Sequence, residues 1–233
     1  MASGDSTVLE LKEKLAICCR LLCMEELIGW SGHVSARIPG TDKILIHPRR
    51  VSRLEVRPED IITTDLEGRI VEGEGRTPGE YFIHTNIYKL REDVLSVAHI
   101  HAKFTVLLSM RDKELRPISR MGHFFLDGVP TFPNFLNILT DELGQQVART
   151  LGSHRAVFLR GHGAVVVGKS IEAAFFSSLF LEREGEYQVL AAALGDVRPF
   201  AEDTSRFYAE SREDYSKWWN FSISKARKTG FLW

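Results

Sequence analysis

The sequence predicts an α/β fold in which a mainly antiparallel β-sheet is flanked by helices, giving α-β-α layers. The chain has 233 residues, 44% of them hydrophobic, which is enough for one domain with a sizeable core. Pairs of short alternating segments separated by turn residues indicate β-hairpins. Segments with helical spacing of apolar residues lie between them, and this mixture is typical of helices packed on an antiparallel sheet. We therefore expect a single domain over residues 1–233.

The predicted elements follow from periodicity and punctuation along the chain. Helices are predicted at 7–29, 80–93, about 139–152 and 170–194. Strands are predicted at 33–38, 43–48, 60–64, 69–72, 94–102 and 156–168. A segment rich in turn residues covers 128–137, and an aromatic-rich extension covers about 203–233, including Phe207, Tyr208, Tyr215, Trp218 and Trp219.

Composition excludes several classes of partner. The formal net charge of −1 does not favour nucleic acid, and no apolar run approaches the ~18 residues of a membrane span. The N-terminal segment MASGDSTVLELKEK lacks the apolar core of a secretory signal, so we expect a cytoplasmic protein. Cys18, Cys19 and Cys23 crowd into one predicted helix and are expected to act as small buried hydrophobes in a reducing compartment.

Two histidines stand one residue apart in the predicted strand VLSVAHIHA, at His99 and His101. Alternate side chains of a strand share a face, so both imidazoles project together. A His-x-His pair on a strand is a suitable half of a divalent-metal site and needs a third ligand from elsewhere. His162, between Gly161 and Gly163 in RGHGAVVVG, is the candidate, because its glycines allow the backbone to bend and approach closely. The alternative for each histidine is an ordinary core or surface residue with a hydrogen-bond partner.

Three segments carry a resemblance to a known family. They are SGHVSARIPGTDKILIHP after the first helix, GEYFIHTNIYKLREDVLSVAHIHAKFTVLLS, and RGHGAVVVG. Over roughly residues 7–195 the chain resembles the class II aldolase/adducin family. The resemblance implies that His99, His101 and His162 bind a catalytic divalent metal, commonly zinc, with manganese, cobalt or iron as alternatives. It also implies that Glu80 is the catalytic acid/base, and that the enzyme is a homotetramer with sites at subunit interfaces and C-terminal residues closing over them.

The sequence departs from the sugar-phosphate enzymes of this family at their phosphate-binding pairs. The family's Gly-Asn pair reads Gly32-His33, its Thr-Gly pair reads Arg49-Arg50, and its Ser-Ser pair reads Pro78-Gly79. Arginine forks match planar carboxylates, so the changes favour a small-molecule substrate that bears a carboxylate. The alternative is that the RRVSR segment is a solvated basic loop. The substrate-binding candidates are Arg49, Arg50, Gly32, Gly79 and His123.

The pattern is closest to the branch of the family that decarboxylates dihydroxylated aromatic acids such as 3,4-dihydroxyphthalate. We therefore predict a metal-dependent carbon–carbon lyase with Glu80 and His33 as catalytic residues. The main alternative is an aldolase that cleaves a sugar phosphate or a hydroxy-keto acid. A non-enzymic module like the adducin head and an Fe(II) oxygenase are further alternatives. His84, one helical turn after Glu80, is expected to have a structural or orienting role.

Overall fold

An eight-stranded sheet forms the centre of the computed structural model, which describes residues 2–112, 115–195, 199 and 214–233, with side chains from residue 6 onward. Its strands are β1 (His33–Arg37), β2 (Lys43–Ile46), β3 (Ile62–Asp65), β4 (Ile70–Glu72), β5 (Ser96–Ile100), β6 (Thr131–Phe132), β7 (Ala156–Leu159) and β8 (Gly163–Gly168). The order across the sheet is β4-β3-β2-β1-β5-β8-β7-β6. Every pairing is antiparallel except that of β6 with β7. The predicted fold class is confirmed.

Helices cover both faces of the sheet. They are α1 (Ala2–Met24), α2 (Tyr81–Leu90), α3 (Lys103–Ser109), α4 (Asp141–Leu151), α5 (Ile171–Ala191) and α6 (Ser216–Lys228). One apolar core lies beneath α1, α3, α5 and α6, and a second lies beneath α2 and α4. Each face therefore has its own core, as the α-β-α layering requires.

Alternation along β1 and β5 decides which side chains reach the functional region. Val34 of β1 and Ala98 of β5 belong to the core under α1 and α5, whereas Val97 belongs to the core under α2 and α4. His33 and His99, one residue away from Val34 and Ala98, therefore face α2. The two histidines are direct cross-strand partners in the β1–β5 register.

The prediction of one continuous strand over 156–168 is wrong. It is a hairpin of β7 and β8 joined by a turn that contains His162. The cause is the pair of glycines, because Gly161 has φ +63° and Gly163 has φ +157°, values that other residues adopt only at a cost. His162 therefore lies in a tight turn and not beside a continuous strand.

Helix α3 was not predicted, because its residues continue the apolar run of the preceding strand. Its first turn is held by Glu182 of α5. The Glu182 carboxylate accepts hydrogen bonds from the backbone N–H groups of Phe104 and Thr105, at 2.9 and 2.8 Å. These are the amides that a helix start leaves without a partner, so a distant carboxylate defines where the chain turns after His101.

The described part of the C-terminal extension packs on the core. Tyr215 and Trp219 are buried, and the Tyr215 ring stacks on Phe176 of α5 with centroids 5.5 Å apart. Tyr215 and Trp219 therefore act as packing residues within the single chain, and closure of C-terminal residues over a site stays a prediction. Phe207 and Tyr208 lie outside the described residues.

Two further expectations concern α1 and the helices in general. Cys18 and Cys19 are buried and Cys23 is partly buried, all three as free thiols, which agrees with the prediction for them. Among the residues that the structure describes, none of the helices has the length and apolar character needed to cross a membrane.

Candidate metal centre

Four side chains from three separate segments meet at one end of the sheet. Glu80, His99, His101 and His162 each offer one ligand atom, and these atoms all lie within 4.8 Å of one another. Nε2 of His99 is 2.8 Å from Nε2 of His101, and Oε2 of Glu80 is 3.4 Å from His99 Nε2 and 3.7 Å from His162 Nε2. Metal bonds of about 2.0–2.1 Å in a tetrahedral site place neighbouring ligand atoms roughly 3.3 Å apart. The spacing of the four groups therefore fits a divalent cation.

Local structure explains why each candidate ligand lies where it does. His99 is on β5, and His101 follows the strand's last residue on the same face. Gly163 lets the His162 turn approach β5, because a Cβ there would lie 2.1 Å from the carbonyl oxygen of Ile100. Glu80 immediately precedes α2, so its backbone is not helical. It therefore does not share a regular helical face with His84, contrary to the expectation from their four-residue spacing.

Outer hydrogen bonds orient the ligands. The carbonyl oxygen of Ala164 accepts from Nδ1 of His99 at 3.1 Å, which leaves the lone pair on Nε2 to face the cluster. Nδ1 of His101 lies 2.6 Å from Oγ of Ser31. The backbone N–H of Ile138 donates to Oε1 of Glu80 at 2.8 Å, so Oε2 is the oxygen turned toward the histidines.

The charge state of the cluster suits a cation. Burial, and then proximity to His99, lowers the pKa of His101 to about 3, and the same two causes lower the pKa of His162. Burial raises the pKa of Glu80, but its contacts with His99 and with the Ile138 amide lower it below its usual range. Neutral imidazoles and an ionised carboxylate are the forms that bind a divalent metal.

His33 lies directly beside this cluster. Its ring centroid is 5.1 Å from that of His99, and its Nδ1 lies 2.6 Å from Nε2 of His84. Burial, and then His84 and His99, lower the pKa of His33 well below its usual range. Burial and His99 lower the pKa of His84 to about 3. His84 is thus coupled to His33 and not hydrogen-bonded to Glu80.

The two predicted glycines behave differently. Gly32 has φ +91°, and a Cβ there would lie 2.6 Å from Cγ2 of Ile28 and 3.0 Å from the carbonyl oxygen of His99. It is therefore needed for close packing behind β5. Gly79 has an ordinary φ, and its nearest atom would be Cδ2 of Leu139 at 3.5 Å, so its conformation does not require glycine.

The predicted substrate-binding arginines are exposed in the single chain, and neither Arg49 nor Arg50 is among the four cluster residues. It is Arg53 that reaches back toward the site, donating from Nε to the carbonyl oxygen of Gly32 at 3.2 Å. His123 lies in a 3₁₀ turn, where its Nδ1 is 2.5 Å from the carbonyl oxygen of Arg120 and its ring packs on Phe124. Sequence reasoning missed Ser31 and the Ile138 amide, since neither carries a recognisable motif.

Comparison with known proteins identifies the family of this chain. Residues 13–189 match the family described as Class II Aldolase and Adducin N-terminal domain. The chain belongs to this family. Among its solved members, an aldolase II superfamily protein from Pseudomonas syringae superposes with a TM-score of 0.86 at 24% identity, covering 97% of this chain and 95% of that one.

Two curated class II aldolase relatives bear on the chemistry. The 3,4-dihydroxyphthalate decarboxylase of Arthrobacter keyseri is 28% identical over 187 residues, covering 73% of this chain and 74% of that protein. The L-fuculose phosphate aldolase of Methanocaldococcus jannaschii is 25% identical over 182 residues, covering 78% and 97%. Both names describe lyases, which supports the expectation that this class II aldolase family member is an enzyme.

Proposed function

We propose that this chain is a divalent-metal-dependent carbon–carbon lyase that decarboxylates a dihydroxylated aromatic acid of the 3,4-dihydroxyphthalate type. The observation that carries the proposal is the complete cluster of one carboxylate and three imidazoles within 4.8 Å. The altered phosphate pairs of the sequence and the decarboxylase relative support a carboxylate substrate over a sugar phosphate. The proposed metal ligands are His99, His101 and His162, and the proposed cation is zinc, which is bound by three histidines in some catalytic sites; manganese, cobalt and iron are the alternatives.

Glu80 is the proposed proton carrier. When bound, a divalent cation at the three histidines supplies a Lewis acid that stabilises negative charge on the substrate oxygens. Glu80, ionised at neutral pH, accepts the proton of a substrate hydroxyl. Glu80 then returns this proton to the ring carbon that bears the carboxylate, and ring electrons of the phenolate form the new C–H bond. The bond to the carboxylate breaks, CO2 leaves, and the electron pair of that bond restores the aromatic ring. A proton from water restores the hydroxyl.

An aldol cleavage would use the same groups, with an aldehyde leaving in place of CO2. A cleavable sugar phosphate or hydroxy-keto acid is therefore the second candidate substrate, supported by the aldolase relative. The proposed assembly is a homotetramer with sites at subunit interfaces. It is supported by large exposed side chains near the site, such as Trp30, 94% exposed beside Ser31, and Phe135, 66% exposed against the Gly161 turn.

The deciding experiment is a headspace CO2 assay on zinc-reconstituted protein, run beside an assay for release of a phosphorylated ketone. The panel contains dihydroxylated aromatic carboxylic acids in one arm and fuculose and ribulose phosphates in the other. We expect CO2 from an acid of the 3,4-dihydroxyphthalate type, lost on EDTA treatment and recovered with Zn²⁺. Release of a phosphorylated ketone with no CO2 would replace the decarboxylase by the aldolase.

Arg49 is proposed to bind the substrate carboxylate. Arg49→Ala should raise KM about ten-fold for the carboxylated substrate, since a charge-assisted hydrogen bond is lost. KM for an analogue with a neutral group at that position should stay nearly unchanged. Steady-state kinetics with both compounds checks this, and Arg149→Ala, an exposed arginine on α4, is the matched control. Equal effects on both compounds would contradict a carboxylate contact.

A further inference from the structure

A chain of four polar side chains is buried between β1 and α2, behind the metal centre. It contains His33, Ser35, His84 and Tyr88, and each is at most 4% exposed. After the contact of His33 Nδ1 with His84 Nε2, the chain continues from His84 Nδ1 to Ser35 Oγ at 2.7 Å. It ends with Ser35 Oγ and Tyr88 Oη at 2.9 Å. Nothing in the cation site requires this chain, although a buried polar network costs free energy unless it is fully satisfied.

The chemistry of the groups gives the chain a direction. The distance alone leaves the donor open, but a phenol is more acidic than an aliphatic alcohol, which favours donation from Tyr88 Oη to Ser35 Oγ. Ser35 has one hydrogen, and it then donates to Nδ1 of His84. A neutral His84 therefore carries its proton on Nε2 and donates to Nδ1 of His33. A neutral His33, whose Nδ1 accepts, must carry its own proton on Nε2.

Burial supports the neutral form of both rings. His84 is fully buried and His33 is 4% exposed, and each faces another imidazole. An added positive charge there would lose its hydration without a carboxylate hydrogen-bonded to either ring. The remaining nitrogen, His33 Nε2, has no hydrogen-bond partner among the described residues. It is also not one of the fully buried polar atoms that lack a partner. It is therefore available to a molecule bound beside His99.

We propose that Tyr88, Ser35 and His84 are positioning residues that fix His33 as a neutral imidazole with its proton on Nε2. His33 is thereby a hydrogen-bond donor to a substrate oxygen that gains negative charge, and Glu80 alone carries the transferred proton. His33 thus keeps the catalytic role expected from the sequence, as a hydrogen-bond donor. The contact with substrate rests on the proposed lyase function, whereas the tautomer does not.

The tautomer can be read directly by NMR. Long-range ¹H–¹⁵N correlation on the full chain with ¹⁵N-labelled histidine distinguishes Nδ1–H, Nε2–H and imidazolium forms, with and without Zn²⁺. His33→Gln and His84→Gln assign the two signals. We expect Nε2–H on both rings near pH 7.5. A proton on Nδ1 of His33, or an imidazolium, would overturn the proposal.

Ser35→Ala tests whether the chain sets the tautomer. It removes the donor to His84 Nδ1, so both histidines should populate a mixture of tautomers. On the proposed substrate, kcat should fall about ten-fold while KM and bound zinc stay unchanged. The matched control is Ser96→Ala, because Ser96 is equally buried and donates to the carbonyl oxygen of Ser35, outside the chain. A single Nε2–H tautomer retained in Ser35→Ala would show that the chain does not set it.

The two proposals fail separately. Nε2–H on His33 in a protein that releases no CO2 supports the positioning chain and removes the decarboxylase. Nδ1–H on His33 in a protein that does release CO2 overturns the positioning chain and leaves the decarboxylase intact.

Discussion

His99→Ala is expected to remove bound metal and catalytic activity together. His99 is fully buried, and its Nε2 is the atom nearest to both His101 and Glu80 in the cluster. Losing the cation removes several kcal/mol of transition-state stabilisation, which corresponds to a rate lower by about 10³-fold or more. Metal analysis of the purified chain and the CO2 assay check both quantities.

A buried histidine also contributes packing, so the result needs a second variant and a control. His162→Ala removes a ligand from the turn, where the side chain is 15% exposed, and should give the same joint loss with less effect on stability. His154→Ala, in the turn after α4, should keep both metal and activity. Full activity in a folded, metal-free His99→Ala protein would rule out the metal-dependent lyase.

Glu80→Gln is expected to separate catalysis from assembly of the site. The amide oxygen can still accept the Ile138 N–H, and the three histidines are unchanged, so zinc should still bind at saturating concentration. The proton carrier is lost, and kcat should fall by about 10²–10⁴-fold with little change in KM.

Zinc content, kcat and KM of the Glu80→Gln protein are measured together. Glu142→Gln, in the exposed first turn of α4, is the matched control and should behave as the wild type. A zinc-loaded Glu80→Gln protein with unchanged kcat would exclude Glu80 as the proton carrier and assign that role elsewhere.

Local periodicity accounts for the parts of the site that lie within one element. The two-residue repeat of strands places His99 and His101 together, and the same repeat places His33 with Ser35. Helical spacing likewise places His84 above Tyr88. These pairs could all be read from the sequence, and the first was.

Pairing between elements could not be read from one sequence. Nothing local specifies that His33 stands opposite His99, or that α2 covers this face of β1, because register depends on long-range packing. The turn at Gly161 and Gly163 is a second feature that the sequence did not specify fully. The glycines predicted a bend within one strand, whereas their positive φ values divide that strand into two.

The two carboxylate oxygens of Glu80 have different partners, and this arrangement has a thermodynamic consequence. One oxygen of its rigid carboxylate faces the histidines, while the other holds the amide of Ile138, in the segment that carries the exposed Phe135, Leu136 and Leu139. Because both oxygens belong to one carboxylate, cation binding and the position of this segment are expected to be linked by a free energy of coupling. Such coupling is reciprocal. Whatever orders the segment from outside, such as a neighbouring subunit, changes the affinity of the cluster for its cation by the same factor by which the cation favours that contact.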